Sequence, residues 1–169
     1  LKHGLIADSA YYRMLRDRKE DILNRRPDAL TEVVKGSDLI KRHTVESDPT
    51  EQGIRKTLNF GHTLGHAVEK ESGFRLSHGA CVGLGMICAM EITRMRGFLK
   101  ESDLEELIGL MKDYGLPVTV PAMDQEQIFN AVAELIAERN DCDVSEITMD
   151  TNFQDVGIDS LDTVEMLMN

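Results

Sequence analysis

The 169-residue chain lacks the marks of a β-sheet: no stretch sustains an apolar-polar alternation, and its β-branched residues are scattered. It also lacks a long apolar run. The longest, Cys81-Val82-Gly83-Leu84-Gly85-Met86-Ile87-Cys88-Ala89-Met90, is too short and too rich in glycine to span a bilayer. Nothing at the amino end resembles a secretory leader. Cysteine is scarce, and Cys81, Cys88 and Cys142 form an odd set with no metal-type spacing, which fits a reducing compartment. These absences predict an all-α cytoplasmic protein with no membrane association.

Positive charge is missing from one region in particular. Residues 1–122 carry 18 Lys+Arg and 18 Asp+Glu, whereas residues 123–169 carry 1 and 12, so the whole net charge of -11 belongs to the tail. A break this sharp divides the chain into two segments of different origin, 1–122 and 123–169. It also excludes nucleic acid as a partner of the tail, because phosphates would be repelled. Hydrophobic content of 41% and charged content of 29% are ordinary for a folded globular chain and exclude global disorder.

What is present is helical periodicity, with no internal repeat. It predicts helices at about 5–24, 28–46, 54–72, 78–98, 101–114 and 125–139. Arg26-Pro27, Asp48-Pro49, Gly97 and Gly115-Leu116-Pro117 supply the stops. Pro117 to Pro121 reads as an extended connector. After residue 140 the sequence reads as a long polar loop anchored by Val144, Ile147, Met149 and Phe153, with a last helix from about Asp159.

The segment Asn59-Phe60-Gly61-His62-Thr63-Leu64-Gly65-His66-Ala67-Val68-Glu69 spends two of the chain's five histidines four residues apart. On a helix, positions i and i+4 share a face, so both imidazoles point into one volume. Gly61 and Gly65 form a neighbouring stripe that admits another backbone or a ligand. Two histidines do not complete a zinc site, and His78, in "RLSHGACVGLGM", is the candidate third group. For an isolated pair, histidines packed under glycine contacts are the plainer alternative.

The longer pattern decides between them. "IRKTLNFGHTLGHAVE" and "LSHGACVGLGM", preceded by "LKHGLIADSAYYRML" and "IKRHTVESDPTEQGIR", closely resemble the C-terminal helical domain of 3-dehydroquinate synthase over about residues 1–122. The resemblance implies a shikimate-pathway lyase that uses NAD and a divalent metal, commonly zinc. It converts a seven-carbon phosphorylated keto acid, DAHP, to 3-dehydroquinate with elimination of phosphate. By motif, it implies His62 and His78 as metal ligands, with His66 one turn away toward the substrate phosphate. Lys41, Arg55 and Asn59 are implied to hold the substrate carboxylate and hydroxyls. Lys2 matches the lysine that follows the family's glutamate ligand. That glutamate and the NAD-binding half lie upstream of Leu1 in the family, so the resemblance implies no synthase activity from this chain by itself. Ala80 stands where the family usually has glutamate, which removes a group that would orient a ligand. The family is usually dimeric, which makes a homodimer an expectation here.

The tail, "IFNAVAELIAERNDCDVSEITMDTNFQDVGIDSLDTVEMLMN", is similar to the first half of an acyl carrier protein over about 126–169. Taken alone, Asp159 and Ser160 read as an ordinary helix cap, with Asp162 favourable to the dipole in the first turn. The resemblance implies that Ser160 receives 4′-phosphopantetheine from coenzyme A through a phosphopantetheinyl transferase. It implies that Asp159, Asp162 and Glu165 form the acidic face on which basic partners dock. The seam falls at about 122–130, where one amphipathic helix satisfies both families. Fewer than 50 residues rarely fold alone, so this piece packs on the helical domain or stays partly disordered. Three readings remain open: a synthase-type metal and substrate domain, a carrier module, and a non-catalytic helical fusion. Treatment with a phosphopantetheinyl transferase and coenzyme A is expected to add the mass of one phosphopantetheine, and Ser160→Ala to abolish the gain, both read by intact-mass spectrometry.

Overall fold

A computed structural model describes residues 1–120, 125–148 and 151, and every described element is helical. The expected helix at 5–24 is divided into three: α1 (Lys2–Ala7), α2 (Ser9–Asp17) and α3 (Lys19–Leu23). Asp8 causes the first break. Its backbone is extended, and its carboxylate accepts the free amides of Ala10 and Tyr11, which starts a new helix at once. At the second break Arg18 leaves helical geometry while its guanidinium pairs with Asp21, Asp28 and Glu32. These capping and ion-pair effects are invisible to an apolar-periodicity argument.

Helix α4 (Pro27–Ser47) starts on its proline, where the missing N–H costs nothing. The expected helix at 54–72 is also divided. A 3-10 turn, Ile54–Asn59, ends at Phe60, and Gly61 then takes φ 78 before α5 (His62–Glu71) begins. That left-handed backbone suits glycine and would strain any other residue. Helix α6 (His78–Met95) is capped by Ser77 and stops short of Gly97, itself at φ 83. Helices α7 (Glu101–Asp113) and α8 (Gln125–Asn140) match the periodicity to within a residue. Residues 116–120 are non-helical, as expected of a connector.

The centre of the fold is the contact of α5 with α6. A Cβ on Gly85 of α6 would land on the carbonyl oxygen of Gly61 and 2.8 Å from the amide of Gly65. A Cβ on Gly65 would in turn lie 2.9 Å from the carbonyl of Cys81. The two backbones thus touch directly, and the glycine stripe read from sequence serves this helix contact. Helix α6 is buried on most sides, with Val82, Met86, Ala89 and Met90 packed against Leu104, Leu107 and Met111 of α7 and against Ile6 and Phe60. On the other side of α5, Ala67 packs against Ala131, Ala133, Ile136 and Ala137 of α8, and Lys70 pairs with Glu134. The first helix of the acidic tail is therefore docked on the helical domain.

Of the loop anchors, Ile147 is buried and joins this α5–α8 cluster, whereas Val144 is 44% exposed. Val144 sits in a 3-10 turn, Val144–Glu146, capped by Asp143, which turns its side chain to solvent. Met149, Phe153 and the expected last helix lie outside the described residues. No described helix is long and apolar enough to cross a membrane.

Tyrosines fasten the amino-terminal helices to this centre. The Tyr11 hydroxyl donates to the Val33 carbonyl at 2.7 Å, and the Tyr114 hydroxyl to the Leu15 carbonyl at 2.7 Å. α1 packs against α2, α4 and the 3-10 turn, and its Lys2 shares a cavity wall with His62 and His78. Gly85→Ala is expected to cost about 3 kcal/mol or more, because backbone rather than a flexible side chain blocks the methyl. Gly109→Ala, on the exposed face of α7 with open space around it, is expected to gain about 0.5–1 kcal/mol. Denaturant unfolding of the two variants checks both.

Candidate metal and substrate site

Three imidazoles form a near-equilateral triangle. The ring centres of His62 and His66 are 5.3 Å apart, those of His62 and His78 are 5.5 Å apart, and those of His66 and His78 are 5.4 Å apart. Two imidazoles that ligate one tetrahedral ion through nitrogens about 2.1 Å from it have ring centres roughly 5 Å apart. The spacing suits one shared cation. It arises because α5 opens on His62 immediately after the Gly61 turn, while α6, held against it by the glycine contact, opens on His78.

Burial separates the three rings. His62 is half-buried, and its Nδ1 is fully enclosed with no hydrogen-bond partner. Its pKa is pushed down to about 4, first by burial, then by the charge of Lys2 and by His66. A neutral imidazole is the form that ligates a metal. His66 and His78 are more open, with side chains 44% and 52% exposed. Glu69, one turn beyond His66, reaches both: its Oε2 lies 3.3 Å from Nδ1 of His66 and 3.1 Å from Nδ1 of His78. These hydrogen bonds, that to His78 foremost, hold the Glu69 carboxyl below the usual carboxylate range. His66, Glu69 and His78 place ligand atoms within 4.8 Å of one another and are the one such cluster among the described residues. Sequence reasoning quoted Glu69 but assigned it nothing. Its signal was the i,i+3 spacing from His66, which puts the carboxylate on the histidine face.

A cavity of roughly 350 Å³ adjoins the triangle, lined among others by Lys2, His3, His62, His78 and Met86. Lys2 donates to the Leu58 carbonyl at 2.5 Å, and burial followed by the charge of Lys41 lowers its pKa to about 8. Lys41 itself is exposed on α4. His3 on α1 meets the Ser37 hydroxyl at 2.8 Å, a further ring on the cavity wall that the sequence argument left unassigned.

Arg55 and Asn59 share the 3-10 turn, and Asp48 fixes its entry by accepting the amides of Gln52, Gly53 and Arg55. Glu51 holds both side chains, taking Nδ2 of Asn59 at 2.8 Å and lying 3.6 Å from Nε of Arg55. Arg55 also donates to the Pro49 carbonyl at 2.9 Å. The two residues lie together, but Arg55, Asn59 and Lys41 are not on the wall of the cavity just described. Ser160, Asp159, Asp162 and Glu165 lie outside the described residues.

His66, Glu69 and His78 present a donor set of two nitrogens and one oxygen that suits zinc or a similar divalent ion, with the His62 ring 5.3 and 5.5 Å from the two imidazoles and outside that set.

Residues 1–135 match the family model "3-dehydroquinate synthase C-terminal". The chain belongs to that family. A second model, "Phosphopantetheine attachment site", matches residues 130–169, so the two matches overlap within α8. The 3-dehydroquinate synthase of Acidithiobacillus ferrooxidans is 38% identical over 124 residues, covering 73% of this chain and 34% of that protein. That of Symbiobacterium thermophilum is 41% identical over 130 residues, covering 76% and 36%. The chain thus spans about a third of the length of the curated relatives it matches. Among solved structures, 2-epi-5-epi-valiolone synthase from Streptomyces hygroscopicus subsp. jinggangensis, with NAD+ and Zn2+ bound, aligns with a TM-score of 0.74 at 20% identity. The alignment covers 98% of this chain and 49% of that one, a likeness of fold.

The low pKa of His62 carries a pH signature. Between about 4 and the usual histidine value the unfolded chain binds the proton that the folded chain refuses, so stability is full above that window and falls as pH drops through it. In the metal-free chain, the His62 ring resonances are expected to titrate near pH 4, and His62→Gln is expected to flatten the loss of stability across the window.

Proposed function

We propose that this chain supplies the metal- and substrate-holding helical part of a 3-dehydroquinate synthase-type site, joined to a segment that carries 4′-phosphopantetheine on Ser160. The observation that carries the first half is the convergence of His62, His66 and His78 beside a cavity that also receives Lys2. His62 and His78 are assigned as ligands of a divalent ion, zinc by donor type, which when bound polarises a substrate hydroxyl or carbonyl oxygen. NAD belongs to the family's full-length reaction, and the roles given to this chain are those of the metal and substrate side.

The chain's own residues divide the work by charge. Lys2, lowered to about 8 by burial, is placed to give up or take back a proton near neutral pH while facing an anionic substrate. His66, one turn from His62, is assigned to the phosphate side of the substrate without ligating the ion. Lys41, Arg55 and Asn59 are assigned to the carboxylate and hydroxyls of a DAHP-like substrate. An arginine suits that role because its planar fork matches a carboxylate in two places. All three stand off the cavity wall, with the charge of Lys41 still felt at Lys2, and are assigned a part of the substrate other than the one at the histidines. By itself the chain is assigned binding rather than complete turnover, and a cytoplasmic setting and a homodimer belong to the same proposal.

The second half rests on the match to a phosphopantetheine attachment site over 130–169. In this role Asp159, Asp162 and Glu165 provide the acidic docking face for the modifying transferase, and Ser160 provides the nucleophilic hydroxyl.

Zinc stoichiometry tests the metal assignment. The wild-type chain, metal-loaded and freed of excess, is expected to retain about one zinc per chain by elemental analysis. His62→Ala and His78→Ala are each expected to lose it. Retention of zinc by both variants, or none in the wild type, overturns the assignment.

A further inference from the structure

Ala80 removes a carboxylate expected near His78, yet His78 is not left without an acidic partner. Glu69 comes to it from the neighbouring helix. We propose that Glu69 is a positioning residue for His66 and His78. Its Oε2 accepts a hydrogen bond from Nδ1–H of each ring, fixing both as Nδ1–H tautomers and leaving each Nε2 as the lone-pair donor.

The chemistry of the contacts requires the proton at Nδ1. A neutral imidazole has one N–H and one lone pair, and an ionised carboxylate only accepts. With Nδ1 at 3.1 and 3.3 Å from the same oxygen, a lone pair on either nitrogen would face a lone pair on oxygen. The carboxylate is also the sheltered member of the trio, 17% exposed against 44% and 52% for the rings, so it is the fixed point about which they are held. The link spans two elements: Glu69 belongs to α5 with His66, while His78 opens α6. One oxygen therefore sets the rotamer of a ring on each helix at the point where the glycine contact brings the helices together. A metal-ligating histidine is made a better donor when a carboxylate takes its other N–H. The consequence for metal affinity rests on the ligand assignment proposed above, whereas the tautomers do not.

Two measurements on the full chain test this. In the metal-free, 15N-histidine-labelled protein at a pH where both rings are neutral, ring-nitrogen shifts are expected to report Nδ1–H for His66 and His78. Glu69→Gln is expected to move both toward the Nε2–H form, with thermal melting used to check that the variant folds. In Co2+ titrations followed by visible absorption, Glu69→Gln is expected to weaken binding roughly ten- to hundred-fold with the saturated spectrum unchanged, and Glu69→Asp to recover part of the loss. Nε2–H rings in the wild type, or tautomers and affinity unmoved in Glu69→Gln, overturn the proposal. A changed spectrum at saturation also overturns it, because Glu69 is then itself a ligand. Nδ1–H rings in a wild-type chain that takes up no Co2+ support the positioning role and count against the metal assignment alone.

Discussion

Everything in this fold depends on two helices touching backbone to backbone. Gly61, Gly65 and Gly85 leave no side chain between α5 and α6, so the helices meet closer than ordinary side chains permit. That contact fixes the separation of His62 and His66 on one helix from His78 on the next. It also turns the left-handed Gly61 into the device that starts α5 at its first histidine. A methyl group at the tightest of these positions would part the imidazoles as well as the helices. Stability and site geometry are therefore the same constraint.

Around the contact, charge is distributed unevenly. Lys2 and the three imidazoles gather on one side, and burial holds Lys2 and His62 toward their neutral forms. Glu69 is the negative partner of the two open rings. Two open imidazoles bridged by one carboxylate form a donor set of the kind divalent ions take. Arg55 and Asn59 are organised separately, through Asp48 and Glu51, so their placement is independent of the triangle.

Helix α8 joins the two sequence matches physically. Its small and apolar residues, Ala131, Ala133, Ile136 and Ala137, are buried on α5, and Ile147 folds back onto the same cluster. The overlap of the two family matches falls within this helix. An apolar face built largely of alanine makes few demands on sequence detail, and this explains how one helix satisfies two patterns. The acidic residues of α8, Glu126, Glu134 and Glu138, are exposed, and Glu134 reaches Lys70 across the edge of the contact with α5.

The sequence by itself determined the all-helical class, the family, and the two histidines sharing a helix face, because periodicity and motif spacing are local properties. It located α4, α7 and α8 closely for the same reason. It did not reveal the breaks at Asp8, Arg18 and Gly61, since capping by a side chain and a left-handed backbone interrupt a helix without altering its apolar rhythm. Only the tertiary structure brought His78 within reach of His62, placed Lys2 on the cavity wall, and joined Glu69 to two rings on different helices. Those relations depend on how close two backbones come, and that distance is set by packing across the fold.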